Sequence, residues 1–284
     1  MKKIMNRAAA LLLTSTLVLS GCSGSLPAAS SSEVSSTVNV EDVRKKADAY
    51  WEGMTFPQLS APTEDMPILT MHTSKGDVKI VLYPEQAPKA VENFYVHARD
   101  GYYDGITFHR VIEDFVIQGG DPTGTGSGGT SIWGEEFANE EMKGLFSFYG
   151  ALSMANAGPG TNGSQFYIIQ QKDIEKVTYA QTRGGEVLCY SADVLYDMGY
   201  PQEVIDHYME VGGMPTLDTG YTTFGQVLEG MDVVDTIASV ETDSNDKPVE
   251  DVVINGFTIN QELPEKYVTF TGTSSDVPTD AAKE

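Results

Sequence analysis

Residues 108–122 read FHRVIEDFVIQGGDP, and the reading of this stretch decides the fold. Phe108, Val111, Ile112, Phe115, Val116 and Ile117 are apolar, and they fall in two short runs separated by Glu113 and Asp114. Short apolar runs bounded by acidic and glycine-rich turns read as β-strands. Arg110 breaks the pattern. A permanent positive charge is expensive to place beside apolar walls unless something there needs it.

Working outward, the same texture repeats. ILTMHTSKGDVKIVLYP (68–84) holds two strand-like runs around SKGD, the form of a hairpin. In APKAVENFYVHARDGYYDG (87–105), Pro88 suits a first helical turn. Ala90, Val91, Phe94 and Ala98 then recur at helical spacing, and Gly101 ends the run. GALSMANA (150–157), SQFYIIQ (164–170), TTFGQVLEG (222–230) and VVINGFTIN (252–260) are further strand candidates, and GMDVVDTIAS (230–239) is a second amphipathic helix. Many short strands with two helices predict a mainly β fold, a closed antiparallel barrel. Residues 173–214 are more polar. Val204, Ile205, Tyr208 and Met209 share one helical face there, which predicts a helical insertion between two strands.

The totals narrow the function. A formal charge of −23 repels phosphate backbones, so no nucleic-acid partner is expected. With Cys22 and Cys189 as the only cysteines, a disulfide scaffold and a cysteine-based zinc site are excluded. His72, His97, His109 and His207 lack metal spacing, and no metal or cofactor is expected. GTGSGG (124–129) fits a dinucleotide fingerprint only by letters: no helix follows, and Tyr149 stands where an acid is required. It reads as a solvent loop. Glu135, Glu136, Glu140 and Glu141 read as a solvated acidic surface. DSNDKP (243–248) lacks the glycine and glutamate of a calcium loop, and Ser164 lacks a nucleophile elbow.

Three stretches, FHRVIEDFVIQGGDP, GALSMANAGPGTNGSQFYI (150–168) and TFGQVLEGMDVVD (223–235), together with APKAVENF and GYYDGITFHR, resemble a cyclophilin-type peptidyl-prolyl cis-trans isomerase. The resemblance runs in order from Ile68 to Ile259 and is interrupted by the insertion. It implies an eight-stranded barrel capped by two helices, a site on its outer face, and Pro-containing polypeptides as partners. It further implies that Arg110 is the catalytic donor and that Gln118 positions it. Phe115, Val116, Tyr167, Leu217 and Tyr221 would form the proline pocket, and Ala155, Asn156 and Gln165 would contact the peptide backbone. Tyr167 stands where the family usually has phenylalanine, and Val116 where it has methionine. Thr216 replaces a usual aromatic and Tyr221 a usual histidine, which implies weak cyclosporin affinity.

MKKIMNR and AAALLLTSTLVLS form the basic and apolar parts of a secretory signal over residues 1–21. LSGC (19–22) resembles a bacterial lipobox. That implies diacylation of Cys22 and an extracytoplasmic, lipid-anchored protein on the cell membrane or an outer membrane. Residues 22–66 read as a Ser-rich tether with a short helix in EDVRKKADAYWEGM (41–54). Residues 67–260 read as the isomerase domain, and 261–284 as a partly disordered tail. The chain is expected to be monomeric. Besides an isomerase of exported polypeptides, the residues leave open a peptide-gripping holdase and an envelope scaffold built on the same barrel.

Overall fold

The computed structural model describes residues 40–140, 143–181 and 187–274. The signal segment, the lipobox, residues 22–39 of the tether, Glu141 and residues 275–284 of the expected tail lie outside them. In chain order come α1 (Val40–Trp51), β1 (Ile68–Thr73), β2 (Gly76–Leu82), α2 (Pro88–Arg99), β3 (Arg110–Ile112), β4 (Val116–Gly119), β5 (Ala151–Met154) and β6 (Phe166–Ile169). Then follow β7 (Thr178–Gln181), β8 (Val187–Cys189), α3 (Ala192–Asp197), α4 (Gln202–Val211), β9 (Thr223–Glu229), α5 (Met231–Ala238) and β10 (Ile254–Gln261).

Eight strands form one antiparallel sheet in the order β10–β1–β2–β9–β5–β6–β4–β3. The sheet curls until its edges meet. Gly105 N–H donates to the Ile254 carbonyl at 2.8 Å, Ile254 N–H to Ile106 at 2.8 Å, and Phe108 N–H to Val252 at 3.0 Å. Closure therefore runs through the segment just before β3 and not through a full strand ladder. This consumes backbone groups that an open edge would expose. Alternation sets the register: in β1, Leu69, Met71 and Thr73 are buried while Ile68, Thr70 and His72 are less so. Gly120 is needed at the exit of β4. Its φ is +87°, and a Cβ there would lie 2.6 Å from the Ser164 carbonyl.

Phe94 of α2 sits in the barrel core, its ring 5.2 Å from Phe166 and 5.3 Å from both Tyr103 and Phe224. Each such buried ring contributes about 1.5–3 kcal/mol, against about 0–1 kcal/mol for an exposed pair such as Lys79–Glu229 on the outer face. The core decides the fold. α5 covers β2, β3 and β4 with Val234, Ile237 and Ala238 buried. Glu140 departs from the expected solvated acid: its carboxylate accepts from Lys89 N–H at 3.1 Å and Ala90 N–H at 2.9 Å, capping α2 where the chain provides no capping side chain of its own.

The insertion is not purely helical. It contains the β7–β8 hairpin as well as α3 and α4. It builds a second core from Tyr190, Leu195, Tyr200, Val204, Ile205 and Tyr208 against Phe146 and Phe148. The short N-terminal helix docks on this core. The Trp51 indole donates to the Gly199 carbonyl at 2.8 Å, and the Arg44 guanidinium donates to the Tyr200 carbonyl.

The segment expected to be a disordered tail is in part docked. Glu92 on α2 accepts from the amides of Thr269 and Phe270 and from the Thr269 hydroxyl at 2.7 Å. Ser274 Oγ lies 3.0 Å from His97 Nδ1, and His97 Nε2 lies 3.0 Å from the Thr130 carbonyl. Burial lowers the His97 imidazole to about 4, with the Thr130 bond and Asp100 opposing that shift. The unfolded chain takes up this proton below about pH 6.5 and the folded one only near pH 4, so the contribution is present above 6.5 and is lost as pH falls. The stability gap between wild type and His97→Gln should therefore shrink by up to about 3 kcal/mol between pH 7.5 and 4.5, read by urea denaturation. A constant gap would refute the assignment.

Candidate active site

β3 and β4 are joined by the turn Glu113–Asp114–Phe115, in which Asp114 takes φ 58°. Their register places Arg110 opposite Gln118. The same pairing continues to β6, where Gln118 faces Tyr167. Residues far apart in the chain thus share one outer face of the sheet.

On that face Val116, Ala151, Tyr167 and Ile169 form a small buried cluster. Phe115, Ala155, Met214, Leu217 and Tyr221 pack around it, partly buried. The Tyr167 and Tyr221 rings meet edge-on at 5.6 Å. The result is an aromatic and aliphatic niche open to solvent. The Arg110 guanidinium carbon stands 5.7 Å from the centre of the Phe115 ring, at its rim. Phe115 and Leu217, predicted as pocket neighbours, belong to the same cluster.

Arg110 has one charged partner among the described residues. Its Nε lies 3.7 Å from Asp246 Oδ2, and the two side chains are 40% and 47% exposed. An ion pair that long and that wet is worth less than about 1 kcal/mol. It does not account for an arginine on an apolar rim. The pair engages the fork through Nε and leaves both terminal nitrogens without a hydrogen-bond partner among the described residues. Asp246 itself sits at φ 62°, in a turn pinned by Asp243 Oδ1, which accepts from Asn245 and Lys247 N–H. Its carbonyl accepts from Val111 N–H at 2.7 Å, so the backbone of β3 fixes it beside Arg110.

Gln118 does not touch Arg110 by hydrogen bond. Its Nε2 donates to Gln165 Oε1 at 3.0 Å, and Gln165 Nε2 donates to the carbonyls of Gly126 and Gly128 at 3.1 and 2.7 Å. That glycine loop is wrapped around Asp121, whose carboxylate accepts from the amides of Thr123, Thr125, Gly126 and Gly128. Burial alone would raise the Asp121 carboxyl, but these donors hold it below the usual range. The loop that imitates a phosphate cradle is filled by the chain's own carboxylate. Ala155 N–H donates to the Gln165 carbonyl at 2.9 Å, placing the 155–156 segment beside Gln165. Asn156 is held by Asn139, Asn162 and Gly220 at 3.3–3.4 Å. Thr216 is exposed on the turn 215–217, and Tyr221 faces the niche.

His109 is buried with neither ring nitrogen paired, and burial lowers its pKa, against the pull of Asp121. It packs at Gly126 and takes no place in the niche. The sequence reading missed Met214, Asp246 and Asp218. A signal existed only for Met214, an apolar residue two positions before Thr216.

Residues 68–259 match the family of cyclophilin type peptidyl-prolyl cis-trans isomerases. The chain belongs to the cyclophilins. Inferred peptidyl-prolyl cis-trans isomerases of Staphylococcus epidermidis and Staphylococcus aureus are each 48% identical to this cyclophilin over 207 residues, covering 72% of it and 98% of their own length. A crystal structure of a Cryptosporidium parvum cyclophilin type isomerase superposes with TM-score 0.53 at 31% identity, covering 69% of this chain and 99% of that one. A second structure of that protein, determined in the presence of the dipeptide Ala-Pro, gives TM-score 0.52. This cyclophilin is a peptidyl-prolyl cis-trans isomerase, and cyclophilins bind Pro-containing peptides.

Proposed function

We propose that the niche of Phe115, Tyr167, Leu217 and Tyr221 holds the substrate proline and that Arg110 is the catalytic donor. The observation that carries this reading is the Arg110 guanidinium poised over the Phe115 ring with its terminal nitrogens uncommitted. The X–Pro bond resists rotation because the nitrogen shares its lone pair with the carbonyl, a barrier of about 18–20 kcal/mol. In the twisted state that lone pair returns to the nitrogen and accepts a hydrogen bond. A donor fixed beside it stabilises the twisted amide more than the planar one, so rotation is accelerated. No bond is made or broken. Gln118 orients the peptide from the neighbouring strand, and Gln165, Ala155 and Asn156 carry its backbone, as their positions beside one another support.

Phe115→Ala removes the ring under the proline. It should raise KM for a Pro-containing tetrapeptide by about tenfold or more, the loss of a buried aromatic contact. Unchanged KM in a folded variant would remove the niche from the mechanism.

The wider role we propose is supported by the first 22 residues. A signal segment ending in LSGC supports export and acylation at Cys22, and the Ser-rich residues beyond it support a tether. On this reading the enzyme is monomeric and works outside the cytoplasm on exported chains, which cross membranes unfolded and meet slow X–Pro steps as they fold.

A further inference from the structure

We propose that the insertion positions the proline pocket, through a clasp in which the phenols of Tyr200 and Tyr208 close on the Asp218 carboxylate. The proposal rests on the reading of the niche given above. It assigns to the insertion a part in substrate binding although only its last residue, Met214, packs at the niche.

Tyr208 lies on α4 and Tyr200 just before it. Tyr200 O–H donates to Asp218 Oδ2 at 2.8 Å, and Tyr208 O–H lies 2.9 Å from Oδ1 and 2.8 Å from Oδ2. Ser147 N–H donates to Oδ1 at 2.7 Å. All these side chains are buried. Asp218 directly follows Leu217, and the turn between them is tight: Leu217 N–H donates to Met214 at 2.9 Å and Gly220 N–H to Leu217 at 3.2 Å. Tyr221 comes next. The pocket-wall residues Leu217 and Tyr221 and the clasp's carboxylate therefore lie within residues 217–221 of one loop.

The loop is tied at its other end as well. Met214 N–H donates to the Ser147 carbonyl at 2.7 Å. Gly213, at φ +138°, leaves no room for a Cβ, which would lie 2.4 Å from that same carbonyl and 2.7 Å from the Tyr208 ring. The Phe148 ring lies tilted 4.5 Å from Tyr208, and the Phe148 backbone bridges Gly213 at the start of the loop, so packed rings and backbone pairing hold α4 beside it.

Packing alone would not call for a carboxylate here. Burial pushes the Asp218 carboxyl up to about 6, while the Ser147 amide and the two phenols oppose that shift. An apolar side chain would fill the space without that cost. What a carboxylate with three donors adds is a fixed distance and direction, and the fixed object is the segment carrying Leu217 and Tyr221. Arg110 has separate supports in β3 and the Asp246 turn. The clasp should therefore affect binding and leave the catalytic step alone.

The test uses the whole chain with its anchor segment replaced only as purification requires. Tyr200→Phe and Tyr208→Phe are assayed separately on a Pro-containing tetrapeptide, beside Asp218→Asn and Leu217→Ala. KM should rise by about fivefold in the tyrosine variants with kcat within about twofold of wild type. Asp218→Asn puts a donor in place of one of the two oxygens that the three donors share, so its KM should rise by about as much as in the tyrosine variants. If Leu217→Ala raises KM but the folded tyrosine variants do not, the clasp is overturned. If Leu217→Ala also leaves KM unchanged, the pocket reading fails first. A fall in kcat matching the rise in KM overturns the proposal too. Hydrogen exchange on wild type needs no variant: the amides of Leu217 and Gly220 should open together with α4, and exchange more than about tenfold faster than α4 would refute the coupling.

Discussion

Arg110→Ala should lower kcat/KM by about two to three orders of magnitude, the usual loss when one preorganised donor is removed from a transition state. Most of the fall should be in kcat. The arginine has little basicity to meet in the planar ground state, so substrate binding should change much less. Folding should be nearly unaffected, because the one ion pair lost among the described residues is the long, half-exposed one to Asp246. Arg110→Lys separates charge from geometry. It keeps the positive charge but loses the planar fork, and should recover only a small part of the rate. The same variant distinguishes an isomerase from a peptide-gripping holdase. The niche of Phe115, Tyr167 and Leu217 remains intact, so any suppression of aggregation should survive while isomerisation collapses. A protease-coupled peptide assay with Arg110→Ala within about threefold of wild type would falsify the catalytic assignment.

Cys22→Ala should move the protein from the membrane fraction to the soluble one. Each buried methylene contributes about 0.8 kcal/mol; one acyl chain binds only marginally, whereas two hold firmly. Loss of the acylation site should therefore change partitioning almost completely and not by degrees. Among the described residues no helix is long and apolar enough to cross a membrane and mask the effect. Isomerase activity per molecule should be unchanged, since the barrel begins at Ile68 and the niche lies on β3, β4, β5, β6 and the 214–221 loop. Labelled palmitate should enter wild type and not the variant. Equal membrane retention of both proteins would remove the lipid anchor from the account. It would leave the isomerase assignment standing.

Several polar side chains that sequence patterning treats as surface turn out to be structural. Glu140 caps α2, Glu92 gathers the residues near 269, and Asp218 clasps the insertion. Each is an acid with nothing distinctive around it in the sequence, and each takes its donors from other elements of the fold. The GTGSGG loop differs in the same way: its letters suit a phosphate, yet Asp121 occupies the ring of amides.

What the sequence by itself determined is local. Strand alternation, helical spacing in 87–105 and 230–239, and the order of motifs from Ile68 to Ile259 follow from short-range backbone preference and side-chain periodicity; the register that sets Arg110 opposite Gln118 came with the sheet. The proposed signal and lipobox rest on composition and motif alone. The tertiary structure alone decided which loop pairs with Arg110, that Thr269, Phe270 and Ser274 dock on α2, and that the insertion grips the Leu217 loop. These depend on long-range meetings of polar groups, which leave no period in the chain and are set only when the curled sheet brings distant surfaces within hydrogen-bonding distance.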